Sequence, residues 1–418
     1  MNINQNNTMP RLFATIACLV FFTVNALCLP IAIRFSAQTG YIMNVEAISK
    51  LGKHGPMAGG EIGVEFLPTG RMPWQQTWNN TSIGVAAGFM DFGQNSKLGQ
   101  AITLYPYLNI PLADVPHFRL TLRPGVGIGF VTKRYSNTIS DERRWKEMPK
   151  DANETFGSVL NAYFSALIGL EFPIKDGFTI DLAGGWKHLS NGSIMAPNGG
   201  INIFSGELGL RYQPNHDNYE APEKRPDLPK DYRTWTFEII AAGGVRQLYY
   251  QDRKNYGIAS LSVAAFYQPC RIFRLGLGAD AFYDGVYGAV DAGSGEHTTS
   301  YKKTYIESND FKNKVRLGLS LQPEFVFGRF SAGIHAGIYL YDNIKNLEPY
   351  AAVEANGGKP LKRGMFYSYS DPSNHQDGWF YTRAVAKFCI NKHIIVSVAL
   401  KTHLQKAECI EWGFGYRY

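Results

Sequence analysis

The sequence predicts an all-β fold: a transmembrane antiparallel β-barrel built from short alternating strands. Three observations carry that reading. Of 418 residues only 18% are charged, against about 25% in an ordinary soluble domain, while aromatics reach 14% and glycines number 43. Hydrophobicity alternates with a period of two along many segments, not with the 3.6 of a helix. Tight turns alternate with long polar connections, as in barrels that cross an outer membrane. Too much of the chain seeks burial for it to be disordered. Beyond the N-terminal segment, no run approaches the roughly 20 apolar residues that a spanning helix requires.

Taken in order, Met1 to Arg11 is polar, and an apolar run follows from Leu12 to Ile33, interrupted by Asn25 and Pro30. This is the pattern of a secretory signal, with cleavage after Ala26 or after Ala37, so residues 1–37 are assigned to it. Pro30 and the β pattern beyond it argue against a helical anchor. Cys18 and Cys28 fall in or near the removed segment; Cys270, Cys389 and Cys409 remain, an odd number from which no disulfide framework follows.

The strands read most clearly at 117–130, 178–190 and 329–341. In the second, Phe178, Ile180, Leu182, Gly184 and Trp186 share one face, and Thr179, Asp181, Ala183, Gly185 and Lys187 the other. In the third, Phe330, Ala332, Ile334, Ile338 and Leu340 oppose Arg329, Ser331, His335, Tyr339 and Tyr341. Apolar residues outward and small or polar residues inward are what a membrane barrel needs, and in hydrocarbon only closure satisfies every strand N–H and C=O. Tight turns are expected at Lys175-Asp176-Gly177, Phe327-Gly328-Arg329 and Asn391-Lys392, and long loops near 133–156, 288–312 and 343–377.

Roughly eight strands fit before residue 213 and roughly eight after 232. Between them, Pro214, Pro222, Pro226 and Pro229 stand among charged residues, the composition of a linker over 214–231. The halves end alike, in Glu207-Leu208-Gly209-Leu210-Arg211-Tyr212 and in Glu411-Trp412-Gly413-Phe414 running to Tyr418. The expectation is two tandem eight-stranded barrels, 38–213 and 232–418; one sixteen-stranded barrel is the alternative. In the last strand Ile410, Trp412, Phe414, Tyr416 and Tyr418 share a face, resembling the closing strand of bacterial outer-membrane proteins.

Several function classes fall away. The net charge of +7 is modest and no Lys/Arg run is interleaved with aromatics, so no nucleic-acid partner is expected. Asp141 to Glu147 reads as a solvated loop. Gly125-Val126-Gly127-Ile128-Gly129 has no helix after it, so its glycines serve packing rather than a nucleotide. His297, His335, His375 and His403 lack metal-ligand spacing to Cys or carboxylates, and neither a metal nor a cofactor is expected.

The chemistry concentrates at the end of the 178–190 strand. His188 and Ser190 are two apart, hence on one face, and parity makes it the lipid face. Ten residues at about 3.3 Å, tilted by about 40°, rise roughly 25 Å from the Asp176-Gly177 turn, which brings the pair to the outer rim. Asn202, on the returning strand, has the same rim and the same face, whereas Glu207 has the opposite parity and faces inward. A hydroxyl beside an imidazole, with a third polar group orienting the ring, can be an activated nucleophile.

His188-Leu189-Ser190-Asn191-Gly192, followed by Pro197-Asn198-Gly199-Gly200-Ile201-Asn202, resembles the active-site hairpin of the outer-membrane lipid A 3-O-deacylase (acyloxyacyl hydrolase-like) family. The resemblance covers the first half of the chain and implies an eight-stranded barrel that cleaves an ester-linked acyl chain from lipid A in the outer leaflet. It implies Ser190 as nucleophile, His188 as general base and Asn191 as a contributor to the oxyanion hole. The family's Glu falls on Asn202, a neutral amide that can accept the imidazole N–H but cannot stabilise an imidazolium as a carboxylate does. The function expected is therefore an outer-membrane serine esterase acting on lipid A, lipopolysaccharide or a similar glycolipid, in the outer membrane of a Gram-negative type bacterium. Its rivals are an inactive barrel with a binding or structural role, and a porin-like channel.

Overall fold

The computed structural model describes residues 30–43, 46–49, 51–135, 152–223, 233–247, 254–288, 308–343, 379–403 and 406–418. The signal segment up to Cys28, the loop Asp141 to Glu147, and His297 and His375 lie outside the described residues.

Two closed antiparallel barrels of eight strands each are present, so the sixteen-stranded alternative is excluded. The first runs through β1 (Ile31–Ile42), β2 (Met57–Phe66), β3 (Ser82–Asp91), β4 (Gln100–Val115), β5 (Phe118–Val131), β6 (Leu160–Pro173), β7 (Phe178–Ser190) and β8 (Ile201–Tyr212), which pairs back onto β1. The second runs through β9 (Thr234–Gln247), β10 (Asn255–Cys270), β11 (Phe273–Asp284), β12 (Val315–Phe327), β13 (Phe330–Asp342), β14 (Phe380–Cys389), β15 (Ile394–His403) and β16 (Lys406–Arg417), which closes on β9.

The first barrel begins earlier than residue 38. Ala37 pairs with Gly60 on one side and Leu208 on the other, so a cut after Ala37 would fall inside β1, whereas one after Ala26 leaves it whole. The apolar run that merges with the signal pattern ends, at Ile31 to Ile33, as barrel strand.

Parity holds along most strands. In β7, Phe178, Ile180 and Leu182 are exposed, while Asp181, Lys187 and Leu189 are fully buried. In β16, Trp412, Phe414 and Tyr416 are exposed, and Cys409 and Glu411 buried. Two residues expected inside are exceptions: Arg329 is exposed in the turn before β13, and Tyr341 is exposed where alternation puts it inside. Leu317 pairs with Tyr341 but its neighbour Gly318 with Tyr339, so β13 carries an extra residue at Leu340 and the faces change sides beyond it.

An eight-stranded barrel leaves an interior only wide enough for side chains. Buried charges there need partners, and both interiors supply them. In the first barrel Arg34 lies 2.7 Å from Glu65, 2.7 Å from Glu171 and 2.5 Å from Asp181. One layer higher, Lys187 lies 2.6 Å from Glu207, and the Tyr105 hydroxyl donates to Glu61 at 2.5 Å. Toward the long-loop end the filling turns apolar, with Ile42, Met57, Phe92, Phe156, Leu189 and Ile201 in one cluster. In the second barrel Arg274 and Lys387 share Glu238 and Glu324, and Arg383 pairs with Glu411 at 2.8 Å. His335 and His403 are buried against Glu324 and Glu408. Cys270, Cys389 and Cys409 are free thiols.

The β6–β7 turn has Asp176 at φ 52° and Gly177 at φ 80°, the left-handed pair that joins two strands tightly. Of the expected linker, residues 214–223 are described and are held: the Tyr219 hydroxyl donates to the Pro68 carbonyl, and Gln76 and Asn80 donate to the carbonyls of Glu223 and Pro222, while residues 224–231 lie outside the described residues.

Candidate active site

β7 and β8 pair without a bulge from Phe178 opposite Tyr212 to Leu189 opposite Ile201. That register puts His188 directly across from Asn202, on the outer face. A slip of one residue would turn Asn202 into the interior, so the site depends on the same period that separates lipid face from lumen. The two strands are pinned from within by Lys187 against Glu207, and at their ends by Leu189 and Ile201 in the apolar cluster.

The side chains form a chain of hydrogen-bonding distances. His188 Nε2 lies 2.9 Å from Ser190 Oγ, and His188 Nδ1 lies 2.8 Å from Asn202 Oδ1. Trp186 Nε1–H donates to that same Asn202 oxygen at 3.1 Å. The indole stacks on the imidazole at 5.6 Å between centroids with 18° between planes, and Phe164 flanks the imidazole at 6.2 Å. Ser190 and Asn191 are buried, while His188 and Asn202 are partly exposed.

The approach to β8 is built for closeness. Gly200 has φ +66°, and a Cβ there would lie 3.0 Å from His188 Cε1 and 3.2 Å from Ser190 Cβ. Gly199 and Gly200 donate their N–H groups to the carbonyls of Glu154 and Thr155. The 152–156 segment is itself fixed: Asn153 accepts from the Thr155 N–H and donates to the Lys97 carbonyl, and Phe156 is fully buried beside Phe92.

Of the residues named from the sequence, His188, Ser190 and Asn202 come together as a contiguous triad. Asn191 follows Ser190 and is buried. Glu207 faces inward and pairs with Lys187, so it takes no part. Sequence reading missed Trp186, counted only as one more apolar residue of the outer stripe, and the 152–156 brace, counted as loop. The Gly125, Gly127 and Gly129 positions are packing sites: a Cβ at each would strike Ser165, the Leu104 carbonyl or Leu189 at 2.3–2.6 Å. Among the described residues no cluster of three metal-ligating side chains occurs.

An imidazole held between a hydroxyl and an amide oxygen, on the outer face of a closed eight-stranded antiparallel barrel, is the arrangement that defines the class of this protein. Residues 60–211 match the family described as lipid A 3-O-deacylase (PagL), and residues 235–352 and 363–418 match the acyloxyacyl hydrolase C-terminal domain. Together these matches take in well over half of the chain, and the chain belongs to the lipid A 3-O-deacylase family. Among solved structures, it is similar to the outer membrane enzyme PagL at 18% identity over 42% of this chain and 97% of that one, with a TM-score of 0.30. It is also similar to Neisserial surface protein A at 11% identity over 44% and 96%, with a TM-score of 0.28. No curated protein sequence matches significantly.

Proposed function

We propose that the chain is an outer-membrane serine esterase that removes an ester-linked acyl chain from lipid A or a closely similar glycolipid, with the chemistry carried by the first barrel. The observation that carries this reading is the outward triad: Ser190 Oγ at 2.9 Å from His188 Nε2, whose other nitrogen lies 2.8 Å from Asn202 Oδ1. Membership of the lipid A 3-O-deacylase family supports the substrate class.

In this mechanism His188 Nε2 takes the Ser190 proton as Oγ attacks the ester carbonyl carbon. The tetrahedral oxyanion is met by donors at Asn191, next to the nucleophile. The C–O bond to the sugar then breaks, and His188 returns the proton to the leaving alkoxide. Water, deprotonated by the same imidazole, attacks the acyl-enzyme, and Ser190 leaves reprotonated as the fatty acid is released. Asn202 keeps the ring oriented throughout. No cofactor enters the reaction.

A slow-turnover phosphonate mimic of the acyl ester tests the nucleophile on the purified full chain in detergent. Peptide mass spectrometry is expected to find one covalent adduct, on Ser190, and none in a His188→Gln variant. Absence of an adduct on Ser190, with the protein folded, would favour the rival reading of a barrel that binds lipid without cleaving it.

A further inference from the structure

Resting on the reading above, we infer that Trp186 is a positioning residue that makes the neutral Asn202 serviceable beside His188, by fixing which end of the amide faces the imidazole. The two ends of an Asn side chain have nearly the same shape and opposite hydrogen-bonding roles. A carboxylate in this place has no wrong end; an amide has one. Turned one way, the amide oxygen accepts from Nδ1–H, and Nε2 is left with its lone pair toward the Ser190 hydroxyl. Turned the other way, the amide NH₂ donates to Nδ1, the ring proton moves to Nε2, and Ser190 faces a donor instead of a base.

The indole breaks this symmetry because its N–H can only donate. At 3.1 Å from Asn202 it requires an oxygen there, and the same oxygen stands 2.8 Å from His188 Nδ1. The ring proton is thereby assigned to Nδ1, and Nε2, at 2.9 Å from Ser190 Oγ, is the base. The contact follows from strand geometry. Trp186 pairs with Phe204 and His188 with Asn202, so Trp186 and Asn202 are diagonal neighbours on one face, within reach of a long aromatic side chain. The indole also lies face-on to the imidazole at 5.6 Å. Tryptophan offers the strongest aromatic face to a cation, so it supports the imidazolium that forms during acyl transfer. An inward carboxylate could do neither, and Glu207 is committed to Lys187.

The test is a pair of backgrounds. Trp186→Phe keeps a ring against His188 and removes the N–H. With Asn202 present, kcat is expected to fall about 10- to 100-fold with KM little changed, a loss of the size seen when a metal-bound histidine loses the partner that orients it. With Asn202→Asp, either carboxylate oxygen serves, and the same Trp186→Phe change is expected to cost less than about threefold. An equal loss in both backgrounds, or none in the Asn202 background, would overturn the proposal. A second readout does not depend on turnover: ¹⁵N NMR of histidine-labelled protein in micelles, with the His188 signals assigned by their loss in His188→Gln. The ring is expected to be protonated at Nδ1 in the parent and to become a mixture of tautomers in Trp186→Phe. An Nε2-protonated ring in the parent, or no change on substitution, contradicts the assignment. If Ser190→Ala retains full deacylation, the functional reading fails by itself, and the tautomer measurement still decides the role of Trp186.

Discussion

In the proposed mechanism Asn202 is the residue on which the chemistry turns, because the resemblance of the hairpin to the deacylase active site implies a carboxylate at this position. In serine proteases, replacing the triad carboxylate by its amide costs about 10⁴ in rate, and the cause is the wrong histidine tautomer. Here the amide oxygen already faces Nδ1 and is held by a second donor, so the tautomer loss does not apply. What a carboxylate would add is the charge assistance of one hydrogen bond, on the order of 1–1.5 kcal/mol. Asn202→Asp is therefore expected to raise kcat about tenfold rather than by several orders of magnitude. Steady-state hydrolysis of a lipid A ester by the purified variant measures it, and a fall in kcat would mean that the neutral amide has a role a carboxylate cannot fill. The positions of His188, Ser190 and Asn202 on one outward face were legible from parity alone. The bond between Trp186 and Asn202 was not, because a diagonal contact leaves no periodic trace, and a tryptophan in an apolar stripe looks like any lipid-facing aromatic.

At the scale of the element, the β7–β8 hairpin holds the site through an unbulged register and a glycine at its return. Gly200→Ala puts a methyl group 3.0 Å from the imidazole carbon and 3.2 Å from Ser190 Cβ, at a φ that L side chains rarely adopt. Such strain costs on the order of 1–3 kcal/mol, and it falls on the strand end that aims the triad. The variant is expected to keep the β-rich circular dichroism of the parent while losing at least about tenfold in kcat, a loss equivalent to about 1.4 kcal/mol. Unchanged kcat would show that the return can move aside without disturbing His188. The glycine itself stood in the sequence, in the Pro197-Asn198-Gly199-Gly200 run that forms part of the resemblance to the deacylase hairpin. The bracing by Glu154 and Thr155 was not legible there, since those residues sit far along the chain in what composition reads as a long loop. The same limit explains the misplaced Tyr341: one extra residue in β13 reverses parity, and alternation cannot anticipate where a strand bulges.

For the whole molecule, the number of strands per barrel decides between a channel and a packed scaffold. Alternation along sixteen strands is equally compatible with one wide ring or two narrow ones; the like endings of the two halves favoured the latter, and the closures of β8 on β1 and β16 on β9 establish it. Each ring is filled by paired charges and aromatic side chains, Arg274 between Glu238 and Glu324 in the second and Arg34 between Glu65, Glu171 and Asp181 in the first. A filled barrel leaves its outer face for a site, and the triad lies on that face, which is where the proposed reaction needs it to meet the acyl chains of a membrane lipid. Mass spectrometry of lipid A from otherwise identical cells carrying the parent chain or its Ser190→Ala variant is the most direct check. The parent is expected to yield lipid A lighter by one ester-linked acyl chain, and the variant, at equal abundance in the membrane, is expected to leave lipid A intact; the same lighter species in both strains would contradict the account.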